Sequence, residues 1–418
     1  MPRAPATPDA CSRTASAFIA YTSTLDRTGV VMDHLVHSRL REQAADPAGT
    51  RRCTRCASAL MALLAAAAPA MAADHAIIDL GTLPGTPAGT WPDARGTNAD
   101  GSVIVGVVGE RAFVWDGAMH VLDGAASANA TSADGTVIVG KLASPAHAFR
   151  WSASTGLQDL GTLPGGTASE AADVSDDGHV VVGVATTPDG TLAWLWSAEA
   201  GMRSLGTLAA QASSAATAVS GDGRVVTGYS ANHAFRWTEP SGMVDISPDI
   251  PAEGAAGARA ISSDGSTIVG TYVRHFGVGT TPYQFRWTVS GGFEDLFAPG
   301  VGSSSPGHAR ATNHDGSRIH GALFGTVLEA STWSLATGTI PLAAWLESEG
   351  LDLSGWNLVE TTAVSDDGEV LAGSAYREVG DEQVPTLWRL SDLESADRVF
   401  ANGFDPISTA HRWNARGH

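Results

Sequence analysis

The sequence predicts an all-β fold: a seven-bladed β-propeller of four-stranded blades, closed by its N-terminal strand. Three observations carry this. A turn of the form Ser/Asn-x-Asp-Gly recurs seven times, from Asp100 to Asp367, 267 residues over six intervals, a mean period of 44.5. That period belongs to propeller blades and repeat arrays. Each copy also offers four short strand signals, as one blade requires. Finally, the last copy lacks a fourth strand while an orphan fourth strand precedes the first copy.

The turns stand at Asn98–Gly101, Ser132–Gly135, Ser175–Gly178, Ser220–Gly223, Ser262–Gly265, Asn313–Gly316 and Ser365–Gly368. Before each runs a small-residue segment, such as Ala216-Thr-Ala-Val-Ser220 or Ala258-Arg-Ala-Ile-Ser262, the first strand. After each comes a β-branched run ending in Gly, such as Val103-Ile-Val-Gly106 or Val225-Val-Thr-Gly228, the second. The third strand is aromatic: Ala112-Phe-Val-Trp115, Ala148-Phe-Arg-Trp151, Ala193-Trp-Leu-Trp196, Ala234-Phe-Arg-Trp237 and Gln284-Phe-Arg-Trp287, then Ser331-Thr-Trp333 and Thr386-Leu-Trp388. The fourth opens near a Gly, as in Gly242-Met-Val-Asp-Ile246 and Gly292-Phe-Glu-Asp-Leu296. β-Branched and aromatic runs bounded by Gly, Ser and Asp read as strands. Blades are wedges crowded at the axis, so small residues belong on the innermost strand and aromatics further out.

The last copy ends at its third strand, Thr386-Leu-Trp-Arg-Leu390, and Ala76-Ile-Ile-Asp-Leu-Gly81 supplies the missing fourth. Closure by that strand removes the unpaired edges that invite aggregation. One internal correlation bears on register. Arg150, Arg236 and Arg286 precede a third-strand Trp, and the following fourth strands carry Asp159, Asp245 and Asp295; Val114, Leu195 and Thr332 are matched by Val121, Ser204 and Pro341. The pattern predicts cross-strand Arg–Asp contacts. In the closing blade the same alignment sets Asp79 opposite Leu387, with Arg389 two residues on.

The first 75 residues lack the repeat. Residues 1–50 read as a non-repeat leader, with Met32 or a nearby codon an alternative start. Residues 51–73 read as a signal peptide: Arg51-Arg-Cys-Thr-Arg55, an apolar run from Ala57 to Ala68, and Pro69-Ala-Met-Ala72. The apolar run is too short to span a bilayer, so no transmembrane anchor is expected. The propeller is assigned to residues 74–391 and a tail to 392–418. Cys11, Cys53 and Cys56 all precede the expected cut, leaving no disulfide in the exported part. The chain carries a net charge of −19. Such a surface repels nucleic acid and anionic lipid.

The triplets His147-Ala-Phe149 and His233-Ala-Phe235, with the element from Gly156 through Asp159-Leu-Gly161 to Leu163, resemble the HAF-repeat proteins, a bacterial family of exported repeats. The resemblance spans about residues 76–390. Arg111-Ala-Phe113, Leu192-Ala-Trp194 and Tyr283-Gln-Phe285 depart from the triplet, and the last two copies lose it. It implies an exported, propeller-like protein and brings no catalytic residues with it. Arg398-Val-Phe-Ala-Asn-Gly-Phe404 resembles a sorting motif near the C-terminus of some exported bacterial proteins.

No Gly-x-Ser-x-Gly, P-loop or dinucleotide fingerprint is present. Calcium needs six or more oxygens, and most of the turns offer one Asp. His308, His314 and His320 straddle a hairpin, too far apart for one metal. No cofactor or metal is expected. The function predicted is a secreted, monomeric, non-catalytic propeller that binds an extracellular ligand, such as a glycan, or a partner protein. The alternatives are a glycan-active lyase or glycosidase with its site at the axial mouth, and a structural envelope protein. Links between first and second and between third and fourth strands hardly vary. The other two kinds of link vary widely and share the opposite face, where binding residues gather. The candidates on them are Trp91, Tyr272, Arg274, His275, Trp345, Trp356, Tyr376 and Arg377, aromatics and arginines being effective contact residues.

Overall fold

The computed structural model describes residues 76–210, 213–248, 254–275, 280–296 and 306–391, the side chains of residues 274, 275 and 280 excepted. The expected leader, signal peptide and C-terminal tail lie outside the described residues. Seven four-stranded antiparallel sheets form a ring, each in simple meander order. Their first strands are Pro92–Thr97, Ala125–Thr131, Ala168–Val174, Ser214–Val219, Ala255–Ile261, Gly307–Thr312 and Trp356–Val364, for blades 1 to 7. These strands pack against one another all the way round, so they are the innermost.

Closure follows the expected scheme. Ala76–Asp79 pairs antiparallel with Glu382–Ser391 and completes blade 7. The register is shifted, however: Asp79 lies opposite Trp388 and Ile78 opposite Arg389. The cause lies one strand inward. Trp388 sits opposite Gly373, just as Phe149 sits opposite Gly140. The last-blade Trp therefore fills the place of the Phe, and Leu390 that of the outer Trp. Phe113, Phe149, Trp194, Phe235, Phe285 and Trp388 are all fully buried at this position.

The seven turns are held alike. In blade 3 the Ser175 hydroxyl donates to Asp177 Oδ1 at 2.6 Å, and Asp177 Oδ1 accepts the His179 amide at 2.9 Å. The Val180 amide in turn donates to Ser175 Oγ at 3.0 Å. The turn glycine takes a left-handed conformation (Gly178 φ +70°), which favours Gly. Burial works against the charge on Asp177, yet the Ser175 hydroxyl and His179 amide hold its carboxyl down at about 2. These carboxylates are thus committed within the turns.

A second ring runs through the same turns. The Ala99 amide donates to Ala133 O, Ala133 to Asp176 O, Asp176 to Gly221 O and Gly221 to Ser263 O; Asp264 donates to His314 O, His314 to Asp366 O and Asp366 back to Ala99 O, all at 2.8–3.1 Å. Seven backbone hydrogen bonds thereby encircle the axis on the turn face. The x position of the turn is small in four blades because the loops meet there.

Each inner strand also carries a β-bulge at one equivalent residue: Arg95, Asn129, Ala172, Thr217, Arg259, Arg310 and Thr362. The bulge lets the inner strand press on the second. A Cβ at Gly183 would lie 2.0 Å from Glu170 O, and the equivalent glycines meet the same obstacle.

The register does not set the predicted Arg–Asp pairs opposite each other. Arg150 lies opposite Gln158, Arg236 opposite Val244 and Arg286 opposite Glu294, while each Asp faces the Phe one residue earlier. A one-residue offset places Arg and Asp on opposite faces of the sheet. The Asp instead meets the triplet His: His147 Nδ1 lies 3.0 Å from Asp159 Oδ2, and His233 Nδ1 2.9 Å from Asp245 Oδ2. Asp159 Oδ1 also accepts the Gly161 amide at 2.7 Å. The Arg bridges to the next blade. Arg150 Nε donates to Gly178 O and Arg389 Nε to Gly101 O, both at 3.0 Å, and Arg389 lies over the Trp115 ring.

Candidate ligand-binding face

Antiparallel strands place alternate links on opposite ends of a blade, so the uniform turns share one face and the variable links the other. Four of the eight candidate residues converge on that variable face, at the seam where blade 7 meets blade 1. Trp91, 39% exposed, packs edge-on against Tyr376 with ring centroids 5.0 Å apart. The Arg377 guanidinium lies over the Trp356 ring at 5.3 Å. Its Nη1 reaches Asp79 Oδ2 at 2.7 Å, while Asp79 Oδ1 accepts the Thr386 hydroxyl at 2.6 Å and the Gly81 amide at 2.9 Å. Burial opposes the Asp79 charge, but these three donors outweigh it and lower its pKa. Asp79 is the closing-blade counterpart of Asp159, with Thr386 in place of the triplet His. The partner of Asp79 is Arg377 rather than Arg389. Closure of the ring thus builds the patch: its residues come from both ends of the propeller.

The hairpin that carries Tyr376 and Arg377 is an extension of two blade strands, Leu371–Val379 and Glu382–Ser391, where the sequence predicts a loop. Alternation along these strands leaves Tyr376 half-buried and Arg377 exposed.

Two candidates belong to the core instead. Tyr272 is fully buried inside the strand Thr267–His275, opposite Tyr283 and edge-on to Phe293. Expected on a link between strands, Tyr272 lies instead within a strand that runs on to His275, and the inward face of that strand captures the ring. Trp345 is 4% exposed, on a helix, α1 (Leu342–Ser348), where a loop is expected. Leu342, Trp345 and Leu346, spaced i, i+3 and i+4, form its buried face. Blade 6 carries Ser331 where other blades have Phe or Trp, and α1 brings apolar bulk to that blade. Arg274 and His275 lie at the end of their strand, paired in register with Thr281 and Thr280; their side chains fall outside the described residues.

The three histidines are far apart in role. His308 Nε2 contacts Glu360 Oε1 at 2.5 Å, His314 sits at a turn tip 3.8 Å from Asp366, and His320 is buried in a second strand. Among the described residues no three His, Cys, Asp or Glu side chains are grouped to hold a metal.

The sequence reading missed two features. A cavity of about 690 Å³ opens on the turn face between blades 3 and 4. Of its charged groups, Arg203 is paired with Glu239 and lies 5.3 Å over the Trp237 ring, Arg224 is paired with Asp222 at 3.7 Å, and Arg236 lines the cavity with its Nε making no hydrogen bond among the described residues. The second is the set of bulge residues on the inner strands. Its signal in the sequence is a variable residue preceded, in six of the seven blades, by an invariant Ala, as in Ala94-Arg95, Ala128-Asn129 and Ala258-Arg259.

No family model matches the chain, and no curated protein matches it in sequence. Solved structures similar to it include TolB from Acinetobacter baumannii, at 14% identity and a TM-score of 0.37, with 58% of this chain matched to 60% of that one. A putative TolB from Agrobacterium tumefaciens gives 14% identity and a TM-score of 0.40, over 66% of this chain and 94% of that one. An oligogalacturonate lyase in complex with manganese gives 11% and 0.45, over 77% and 99%.

Proposed function

We propose that this chain is an exported, non-catalytic β-propeller that binds a glycan or a partner protein through its variable-loop face, with the seam between blades 7 and 1 as the contact. The observation that carries this reading is the patch of Trp91, Tyr376, Trp356 and Arg377, three aromatic rings and a guanidinium brought together on a rigid, closed scaffold. Side chains of this kind supply contact area at low entropic cost. Export is supported by the basic, apolar and Ala-x-Ala order of residues 51–73. Among the described residues no helix is long and apolar enough to cross a membrane. The HAF-repeat resemblance supports the same reading. The Asp of its Gly-x-x-Asp-Leu-Gly element meets the triplet His and caps the following Gly, which makes the two motifs one structural unit.

Glycan and peptide arrays probed with the purified protein, with product detection on every positive, test the proposal. Binding without turnover is expected, weakened about tenfold in the Trp91→Ala/Tyr376→Ala variant at an unchanged melting temperature. Turnover of any polysaccharide would replace this reading with the glycan-active enzyme. Trp345→Ala should lower the melting temperature instead, because that ring is core.

A further inference from the structure

In blades 1, 2, 4 and 6 the bulge side chain reaches along the channel wall to the inner strand of the next blade. Arg95 Nη1 donates to Asn129 Oδ1 at 2.7 Å, and Asn129 Nδ2 to Ala171 O at 2.6 Å. Thr217 Oγ1 donates to Ala258 O at 3.1 Å, and Arg310 Nε to Glu360 Oε1 at 2.6 Å. The bulge residues of blades 3 and 7, Ala172 and Thr362, form no such bond, and blade 5 differs from all of these in placing an unpaired charge there. Its bulge residue is Arg259, and across from it stands another cation, Arg310. Arg259 makes no hydrogen bond or ion pair among the described residues, although it is exposed.

The local charges do not cancel. Glu360 is the carboxylate nearest this pair, and its Oε1 already takes His308 Nε2 and Arg310 Nε. Burial opposes the Glu360 charge, and those two partners restore it. Burial and then Arg310 push the Arg259 pKa down, against the pull of Tyr229 and Glu360. An arginine that nevertheless stays charged is left facing a like charge on the channel wall.

There is room beside it. Two residues before Arg259, on the same side of the strand, is Gly257, where blades 1, 3, 6 and 7 carry Asp93, Glu170, His308 and Glu360. A Cβ there would find only Tyr229, at 3.8 Å. The Tyr229 side chain is 38% exposed and forms the wall of this recess. The backbone ring of turns occupies the other end of the axis, so the recess opens toward the variable-loop face.

We propose that the channel wall between blades 5 and 6 is a binding site for a small carboxylate-bearing ligand, seated between the guanidiniums of Arg259 and Arg310 with the Tyr229 ring alongside. A guanidinium fork matches a carboxylate in two-point geometry, and one bound carboxylate would relieve the repulsion between the two cations. In a chain of net charge −19 this is a locally uncompensated positive site. A sugar acid uses both parts of it, the carboxylate on the arginines and the ring on Tyr229. The site is separate from the seam patch, and either can fail without the other.

Calorimetric titration of the full chain with glucuronate, glucose and sulfate tests the proposal. Glucuronate is expected to bind and to raise the melting temperature, with glucose and sulfate weaker by about tenfold or more. Arg259→Gln should abolish the glucuronate signal, Arg259→Lys should retain part of it, and Tyr229→Ala should weaken it without abolishing it. Because Arg259 has no partner to lose, Arg259→Gln should melt no lower than the parent. Glucose or sulfate binding as well as glucuronate, no glucuronate binding, or full binding by Arg259→Gln would each overturn the assignment.

Discussion

His320 is the sharpest test of how the blades are packed. It is 1% exposed on the second strand of blade 6, and neither ring nitrogen has a hydrogen-bond partner among the described residues. The equivalent residues of blades 1, 2, 3 and 5 are Val105, Val139, Val182 and Val269, all fully buried. His320→Val therefore installs what four other blades carry. At pH 8 the variant should be more stable by about 1–3 kcal/mol, the cost of burying unpaired polar groups. The gain should grow in acid. Burial, helped by Arg318, pushes the His320 pKa down to about 3, so the folded chain keeps the ring neutral while the unfolded chain takes a proton below its ordinary 6.5. The stability tied to this neutral ring is complete above pH 6.5 and is lost as the pH falls from there toward 3. At pH 5 the difference amounts to about 2 kcal/mol at 1.36 kcal/mol per pH unit, and the valine variant escapes it. Half-buried Asp173 runs the other way in both proteins. Burial pushes it up to about 7, against hydrogen bonds from the Val219 and Val174 amides. Its contribution is full below pH 4 and fades as the pH rises through 7, and it cancels when the two proteins are compared at one pH. Guanidinium unfolding of parent and variant at pH 8 and pH 5 measures the effect. A gain independent of pH, or a variant less stable than its parent, would refute the reasoning.

Two other outcomes follow from the packing. Gly183→Ala must push a Cβ against Glu170 O, which lies 2.0 Å away, and should cost about 3 kcal/mol or more, read as a lowered unfolding midpoint; an unchanged midpoint would mean that the bulge of blade 3 is not formed. Deleting residues 74–82 removes the strand that pairs with Glu382–Ser391 and the Asp79 contacts to Thr386 and Arg377. The truncated chain should become insoluble or melt sharply lower, and a truncated chain that melts like the parent would show that the ring closes without this strand.

Much of the fold was legible because seven copies in one chain act as their own alignment. The Asp-Gly turns, the small inner strands, the aromatic third strands and the split closing blade all follow from repeated residue types whose physics is local. What escaped depends on offsets that repetition does not display. Trp388 looks like the outer Trp of its blade, yet its place is the buried Phe position, which shifts the closing register by one residue. The Arg150–Asp159 correlation is real in sequence, but each residue answers to a different neighbour: the Asp to the triplet His, the Arg to the following blade. Trp91, Trp356, Tyr376 and Arg377 could be assigned to the variable face because links that differ from copy to copy stand out in the repeat, although Trp356, Tyr376 and Arg377 belong to strands rather than to loops. Tyr272 was misplaced because its strand runs on past the expected loop. Trp345 was misplaced although the spacing of Leu342, Trp345 and Leu346 already describes one apolar helix face. Arg259 was passed over as an ordinary inner-strand residue, since only the register reveals the bulge that turns it toward the channel.

The central claim, that ligand is taken on the variable-loop face, meets its most direct test in parallel binding measurements on two sets of variants. One set alters the seam, Trp91→Ala/Tyr376→Ala; the other alters the turn-face cavity at Arg203→Ala and Arg224→Ala, of which Arg224 is 84% exposed. With the glycan or peptide selected on the arrays, the seam variant should lose about tenfold in affinity while the turn-face variants bind like the parent. Full binding by the seam variant, together with loss in the Arg203 or Arg224 variants, would place the functional face on the opposite side of the ring.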